Sequence, residues 1–314
     1  MINYIVLADP LNGVGHIARF ATIFKVSKLK FNLGILYYIG DLSFIEKWLS
    51  YFNIDGIKIR KFDKNSKKEL SGFLFADCLN YNSYINDISF SGLVCFEDYG
   101  VPLGSEWIRI NSFAGEKSEL NMTLSGIQYE ILRPDIQIIY SIKQKLNAQI
   151  KVHKKLKTEH LNIGYVFGGS DPQNYSKIFE DSSAHNFKNL RMVTNFISEL
   201  SDFDFIFCSS GRMVLECLAL GVIPLILFQN DRERLNHSDL QKFIPEIFIH
   251  DEIFAEPTLE VKSFKKALNN FINLIEKSHS HLFNRINIYR GLLGSEVAVE
   301  LVNTIIESWV ELEN

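Results

Sequence analysis

The stretch from Phe203 to His237 constrains the fold more than any other. Its first apolar run, Phe203 to Cys208, has the length of a buried strand. Ser209, Ser210 and Gly211 interrupt that run. Met213 to Leu220 then sets Val214, Leu215, Leu218 and Ala219 on the apolar side of a predicted helix, and Gly221 supplies its C-terminal cap. Val222 to Phe228 is a second apolar run. Two continuous apolar strands joined by a helix describe a parallel sheet covered on both faces. The small-residue turn then falls at the carboxyl end of a strand and the positive end of a helix, where anionic ligands bind.

The same alternation runs through the rest of the chain. Strands are expected at Asn3 to Ala8, Phe31 to Ile39, Ile57 to Arg60, Gly72 to Asp77, Gly92 to Glu97 and Trp107 to Asn111. Helices are expected at His16 to Val26, with Ile17, Phe20, Ala21 and Phe24 on one side, and at Ser43 to Phe52. In the second half, Leu161 to Phe167 reads as a strand, Leu190 to Leu200 as a helix and Glu246 to His250 as a short strand. Lys262 to Lys277 and Gly294 to Trp309 have helical apolar spacing. The class is α/β with mainly parallel sheets. Pro134 keeps Arg133 out of the helical region, which marks a boundary at Leu132 to Asp135. The expected domains are residues 1–140 and 161–314, joined by a Lys-rich linker over 141–160, with the last helix packing back on the first domain.

The 314 residues suffice for two domains. A net charge of -4 sets up no strong field toward nucleic acid or an anionic membrane. Cys78, Cys95, Cys208 and Cys217 sit in or beside apolar runs without metal-ligand spacing, and read as reduced core residues of a cytoplasmic protein. The amino terminus lacks the pattern of a signal peptide, and no apolar stretch is long enough to span a bilayer. The histidines at 153, 160, 250, 279 and 281 form no metal pattern. No metal and no cofactor are expected.

Four turns can carry chemistry. Asp9 opens a polar turn that contains Gly13 and Gly15 and leads into His16 and Arg19 at a helix start. The glycines admit a ligand to the backbone, and a neutral imidazole there can act as general base. The alternative is a capping histidine with a structural role. The third glycine of a dinucleotide fingerprint is missing. Gly168, Gly169 and Ser170 follow a strand and offer backbone N–H groups to phosphate, without the Gly-Lys-Ser/Thr of a P-loop. Glu216 lies among apolar neighbours near its helix start, either to accept bonds from vicinal sugar hydroxyls or as a solvated helix residue. In the loop after Phe228, Arg232 or Arg234 can pair with phosphate, and Asn230, Glu233 or His237 can contact a sugar; a solvated charged turn is the other reading. Tyr99, after a first-half strand, is a candidate for the rim of the same cleft.

Gly13-x-Gly-His-x-x-Arg19, Tyr129-x-x-Leu-Arg-Pro134, Phe167-Gly-Gly-Ser-Asp-Pro172 and Ser210-Gly-x-x-x-x-Glu216 with Leu220-Gly-x-x-Pro224 occur in one order. That ordered set, from about Ile2 to Leu240, resembles the UDP-sugar hydrolases of pseudaminic acid biosynthesis and the related spore-coat polysaccharide proteins. The resemblance implies a GT-B fold, with two Rossmann-like domains facing across a cleft. It implies a nucleotide-sugar substrate, with UDP displaced from a diacetamido-trideoxyhexose by water. By the same resemblance His16 is the base, Gly169, Ser170 and the Ser209 to Gly211 turn hold diphosphate or uridine, and Glu216 binds ribose. The chain departs from the family in having Leu7-Ala8-Asp9 for Arg-x-Asp and Leu79 for a tyrosine. Only about forty residues separate Gly168 from Ser209, a spacing that implies a shortened second domain lacking one strand-helix unit. Transfer to a hydroxyl acceptor, and sugar-nucleotide binding without catalysis, are the alternative functions.

Overall fold

Strand β1 (Ile2–Ala8) is buried along its whole length, because apolar side chains leave it on both faces. Tyr4, Val6 and Ala8 enter one core and Ile5 and Leu7 the other. The computed structural model describes residues 2–9, 14–63, 70, 72–78, 82–85, 90–96, 107–111, 122–146, 161–167, 171, 173–186, 190–193, 199–200, 202–229, 233–234, 237–248, 270, 273 and 281–313. They divide into two units, Met1–Gln137 with Gly294–Asn314, and Ile138–Leu293.

In the first unit β1 is followed by β2 (Leu33–Gly40), β3 (Ile59–Lys61), β4 (Phe73–Asp77), β5 (Gly92–Phe96), β6 (Trp107–Asn111) and β7 (Met122–Ser125). All pair in parallel in the order β3-β2-β1-β4-β5-β6-β7. The order reverses between β1 and β4, which makes the carboxyl ends of these two strands the topological switch point. Helix α1 (Gly15–Val26) buries Ile17, Phe20 and Ala21 in the core that holds Tyr4, Phe75 and Phe96. The segment Leu29–Asn32 is a short helix, α2, so β2 starts two residues later than the apolar run suggests. Helix α3 (Leu42–Tyr51) is capped by the Asp41 carboxylate, which accepts from Phe44 N at 3.0 Å. A short helix, α4, covers Asn82–Ile85.

Pro134 is the first residue of helix α5 (Pro134–Lys145), where its missing N–H costs nothing. Arg133 just before it is buried, paired through Nε with Asp135 and lying over the Tyr51 and Phe52 rings. The terminal helix, Ser295–Glu313, sends Ala298, Val302 and Ile306 into the same core as β1 and α1, and Trp309 stacks near Phe73.

The second unit has a four-stranded sheet with β8 (Ile163–Val166), β9 (Leu190–Met192), β10 (Phe205–Ser209) and β11 (Ile223–Leu227) in the order β11-β10-β8-β9, all parallel. Its helices include α6 (Tyr175–Asn186), α7 (Met213–Leu220) and α8 (Ser238–Phe243), and residues 281–291 are also helical. Gly221 caps α7 in the left-handed region at φ 81°. Two sequence expectations need correction. Leu190–Met192 is an edge strand rather than the start of a helix, because its backbone pairs with β8. Where a strand is expected over Glu246 to His250, residues 245–247 form a 3-10 turn, and among the described residues only Phe248 bridges to Ile226. The interval after Gly168 also holds a helix and a strand, α6 and β9, so the unit thought to be missing there is present in short form. Of the predicted helix over Lys262 to Lys277 only residues 270 and 273 are described, both helical, and of the linker expected over 141–160 residues 147–160 lie outside the described residues.

Candidate functional site

The strongest constellation lies at the switch point of the first sheet. β4 ends in Asp77, an acid closing a run of apolar residues. α1 begins just after β1 and brings His16 and Arg19 to the same place, three residues apart on one helix face. His16 Nδ1 lies 2.7 Å from Asp77 Oδ1, and Arg19 Nη1 lies 2.7 Å from the same oxygen. Tyr4 of β1 donates its hydroxyl to Asp77 Oδ2 at 3.1 Å. Arg19 also sits over the Phe96 ring, 5.2 Å from its centroid.

Burial decides what this group can do. Asp77 is inaccessible, and Arg19 nearly so, while the His16 side chain keeps 9% exposure. A carboxylate accepts hydrogen bonds, so the proton of a neutral imidazole resides on Nδ1 and the lone pair on Nε2. Arg19 is paired with the same carboxylate. In that tautomer Asp77 holds the ring through Nδ1, and Nε2 carries the lone pair. Asp77 is the member of this cluster that sequence reasoning did not single out. Its signal was an ionisable side chain closing an apolar strand, with partners 58 and 61 positions away.

The chain entering this turn is tightly held. Gly40, at φ +117°, lies so close to the end of β1 that a Cβ there would meet Ala8 O at 2.2 Å. The same carbonyl accepts Asp41 N at 2.8 Å. Asp9 and Gly15 are described beside the site, whereas Gly13 and Tyr99 lie outside the described residues.

The second sheet has its own switch point, between β8 and β10. Ser209, Ser210 and Gly211 stand there, at the end of β10 and the start of α7. Glu233 Oε2 accepts Ser210 N at 3.2 Å and Gln229 N at 3.0 Å. Its carboxylate therefore joins the ends of β10 and β11, and the Ser210 amide is already taken. Gln229 Nε2 in turn donates to Phe167 O at the end of β8 at 3.1 Å. His237 is buried and its Nε2 lies 3.2 Å from Gly211 O, a geometry that needs the proton on Nε2. Ser210 Oγ is buried with no hydrogen-bond partner among the described residues. Glu216 is buried on α7 one turn from these residues. Gly168, Gly169, Ser170, Asn230 and Arg232 lie outside the described residues.

Beneath this turn, Cys208 and Cys217 touch, and that hydrogen bond, together with burial, pushes the Cys217 thiol well above its ordinary value. All four cysteines are buried and free. No cluster among the described residues has the composition of a metal site, and no helix among them is long and apolar enough to cross a membrane.

No protein-family model matches the chain. An uncharacterized protein of Methanocaldococcus jannaschii is 26% identical over 166 residues, which cover 42% of this chain and 33% of that one. The chain thus spans about a third of the length of this curated relative. Among solved structures, MurG of Acinetobacter baumannii superposes with a TM-score of 0.54 at 12% identity, covering 96% of this chain and 99% of MurG. A glycosyltransferase of Rickettsia africae superposes with a TM-score of 0.52 at 10% identity, covering 98% of each chain. With two parallel α/β units and these neighbours along nearly all its length, the chain has the GT-B fold.

Proposed function

We propose that the protein is a nucleotide-sugar hydrolase that releases UDP from a 6-deoxy-diacetamido-hexose, in nonulosonic acid or surface polysaccharide biosynthesis. The observation that carries this reading is the His16–Asp77 pair at the switch point of the first sheet. His16 Nε2 takes a proton from water as the water oxygen forms its bond to the anomeric carbon. The bond from that carbon to the diphosphate oxygen breaks, and UDP leaves with the electron pair. Asp77 holds the ring through Nδ1 and stabilises the imidazolium that forms. In this scheme the Ser209 to Gly211 turn after β10 and the Gly168-Gly169-Ser170 sequence receive the charge on the leaving group. Glu216 binds the ribose in this scheme.

A second reading is glycosyl transfer, with a sugar hydroxyl in place of water. It is favoured by the two solved neighbours, one named as a glycosyltransferase. The same base would serve, because removing a proton from a hydroxyl or from water makes the same demand on Nε2.

The test is UDP release from a panel of UDP-sugars with and without acceptors. Release without acceptor, lowered about 10²–10⁴-fold by His16→Ala, is the expected result. Release only with acceptor replaces hydrolysis by transfer. No release, with no UDP binding by calorimetry, overturns both.

A further inference from the structure

Tyr4 meets the switch-point group from within the core. β1 and β4 pair with Tyr4 opposite Phe75 and Val6 opposite Asp77. Side chains two apart along a strand share a face, so Asp77 rises with Phe73 and Phe75 on the side where Tyr4 and Val6 enter the core. Only a long side chain with a polar tip spans the interval from Tyr4 to Asp77, and the Tyr4 hydroxyl does so, donating to Asp77 Oδ2 at 3.1 Å. The ring is packed in place: its centroid lies 5.7 Å from that of Phe75 and 6.3 Å from that of Phe96, both stacked, and Phe20 meets it edge-on at 4.9 Å. Tyr4 and Asp77 are both inaccessible.

A carboxylate turns about its last bond with little preference of its own, so a buried one takes the orientation that its donors impose. Here the donors are divided. Tyr4 is on Oδ2, while His16 Nδ1 and Arg19 Nη1 are both on Oδ1. A guanidinium tends to take both oxygens of a carboxylate at once. With Tyr4 on Oδ2, the carboxylate is held so that Oδ1 stays in line with the imidazole. Without that hydroxyl Oδ2 loses a buried donor, the carboxylate turns toward the Arg19 fork, and the acceptor that holds the Nδ1 proton is withdrawn. Phenylalanine would meet a packing role alone, and the paired strand already uses it at Phe73 and Phe75. The hydroxyl is the part that packing does not explain.

We propose that Tyr4 is a positioning residue: through Asp77 it keeps the proton of His16 on Nδ1 and the lone pair on Nε2. Its consequence for the reaction rests on the reading of His16 as the base, and the test separates the two. The tautomer is read from the imidazole nitrogen NMR shifts of the full chain at about pH 8, with His16→Ala assigning the signal. The native protein should show one tautomer, protonated on Nδ1. Tyr4→Phe keeps the ring and its aromatic neighbours, and should keep the native circular dichroism. It should show a mixture of tautomers, with kcat for UDP release about tenfold lower at nearly unchanged KM. A single native tautomer in Tyr4→Phe overturns the proposal. So does a Tyr4→Phe chain that fails to fold, which would assign the hydroxyl to the core alone. A mixed tautomer in Tyr4→Phe, with no UDP release from either protein, upholds the positioning role and removes the hydrolysis reading instead. A native protein protonated on Nε2 overturns both.

Discussion

One carboxylate oxygen, Asp77 Oδ1, lies 2.7 Å from both His16 Nδ1 and Arg19 Nη1. Two substitutions at Asp77 separate its roles. Asp77→Asn keeps an oxygen for Arg19 but can turn its amide toward His16 and reverse the tautomer. UDP release should fall about 10²–10⁴-fold in kcat with KM nearly unchanged. Asp77→Ala leaves the buried Arg19 without its counter-ion and should cost about 3–5 kcal/mol of stability, read by urea unfolding. An Asn variant with native kcat would remove Asp77 from the mechanism.

Glu233 joins the ends of β10 and β11 through two backbone amides. Glu233→Ala should destabilise the protein by about 1.5–3 kcal/mol, the worth of hydrogen bonds to a charged acceptor. It should also raise the Kd for UDP by calorimetry, because the Ser209 to Gly211 turn loses its tether. Unchanged affinity would place the nucleotide elsewhere.

Gly40 tolerates no side chain. With φ at +117° and Ala8 O 2.2 Å from the Cβ position, Gly40→Ala combines backbone strain with a clash against backbone. A loss of at least about 1–3 kcal/mol in denaturant unfolding is expected. A melting temperature equal to that of the native protein would contradict the close approach of β2 to the end of β1.

The buried thiols should be silent. Cys217 is pushed up by its contact with Cys208 and by burial, so at pH 8 it carries even less thiolate than an ordinary cysteine. Native protein should react slowly with a disulfide reagent at that pH, and all four thiols should react in denaturant. Rapid reaction of Cys208 or Cys217 in the native protein, located by peptide mapping, would show an opening that reaches the β10–α7 turn.

Asp41 gives a pH dependence. Its hydrogen bonds with Ser43 and the Phe44 amide lower its carboxyl below the usual value. A group depressed in the folded state stabilises above its unfolded pKa, and that contribution is lost as pH falls through the folded value. Asp41→Ala should therefore lower the melting temperature at pH 7, with the difference shrinking toward pH 3. A difference independent of pH would mean that the charge has no part in the cap.

The elements with one consistent period were legible. The runs at β1, β10 and β11, and the apolar side of α1, match strand and helix because both faces, or one face, of each must be buried. The helix α6 was missed because only Tyr175, Ile178 and Phe179 in it are large and apolar, and its start rests on Asp171, which accepts from Tyr175 N and Ser176 N. Leu190 to Leu200 misled because Leu190, Val193 and Leu200 fit a helical spacing, while pairing with β8 fixes the first three residues as strand. His16 and Arg19 could be singled out from a local glycine turn. Their shared partner could not, because only the pairing of β1 with β4 brings Asp77 to them. In the second unit, Glu233 and His237 were expected to face a sugar, and both spend polar atoms on the chain itself.

The first unit is built from two separate segments: the chain leaves it after Gln137 and returns at Gly294. Ala298, Val302 and Ile306 are part of its core. During synthesis the ribosome delivers the whole second unit before these three side chains exist. The layer over β1 and α1 thus stays open to water, and to chaperones, until residues 298–306 have been made. A nonsense mutation between residues 294 and 306 would therefore injure the amino-terminal half, and the catalytic dyad proposed there would fail although every residue of it had been made.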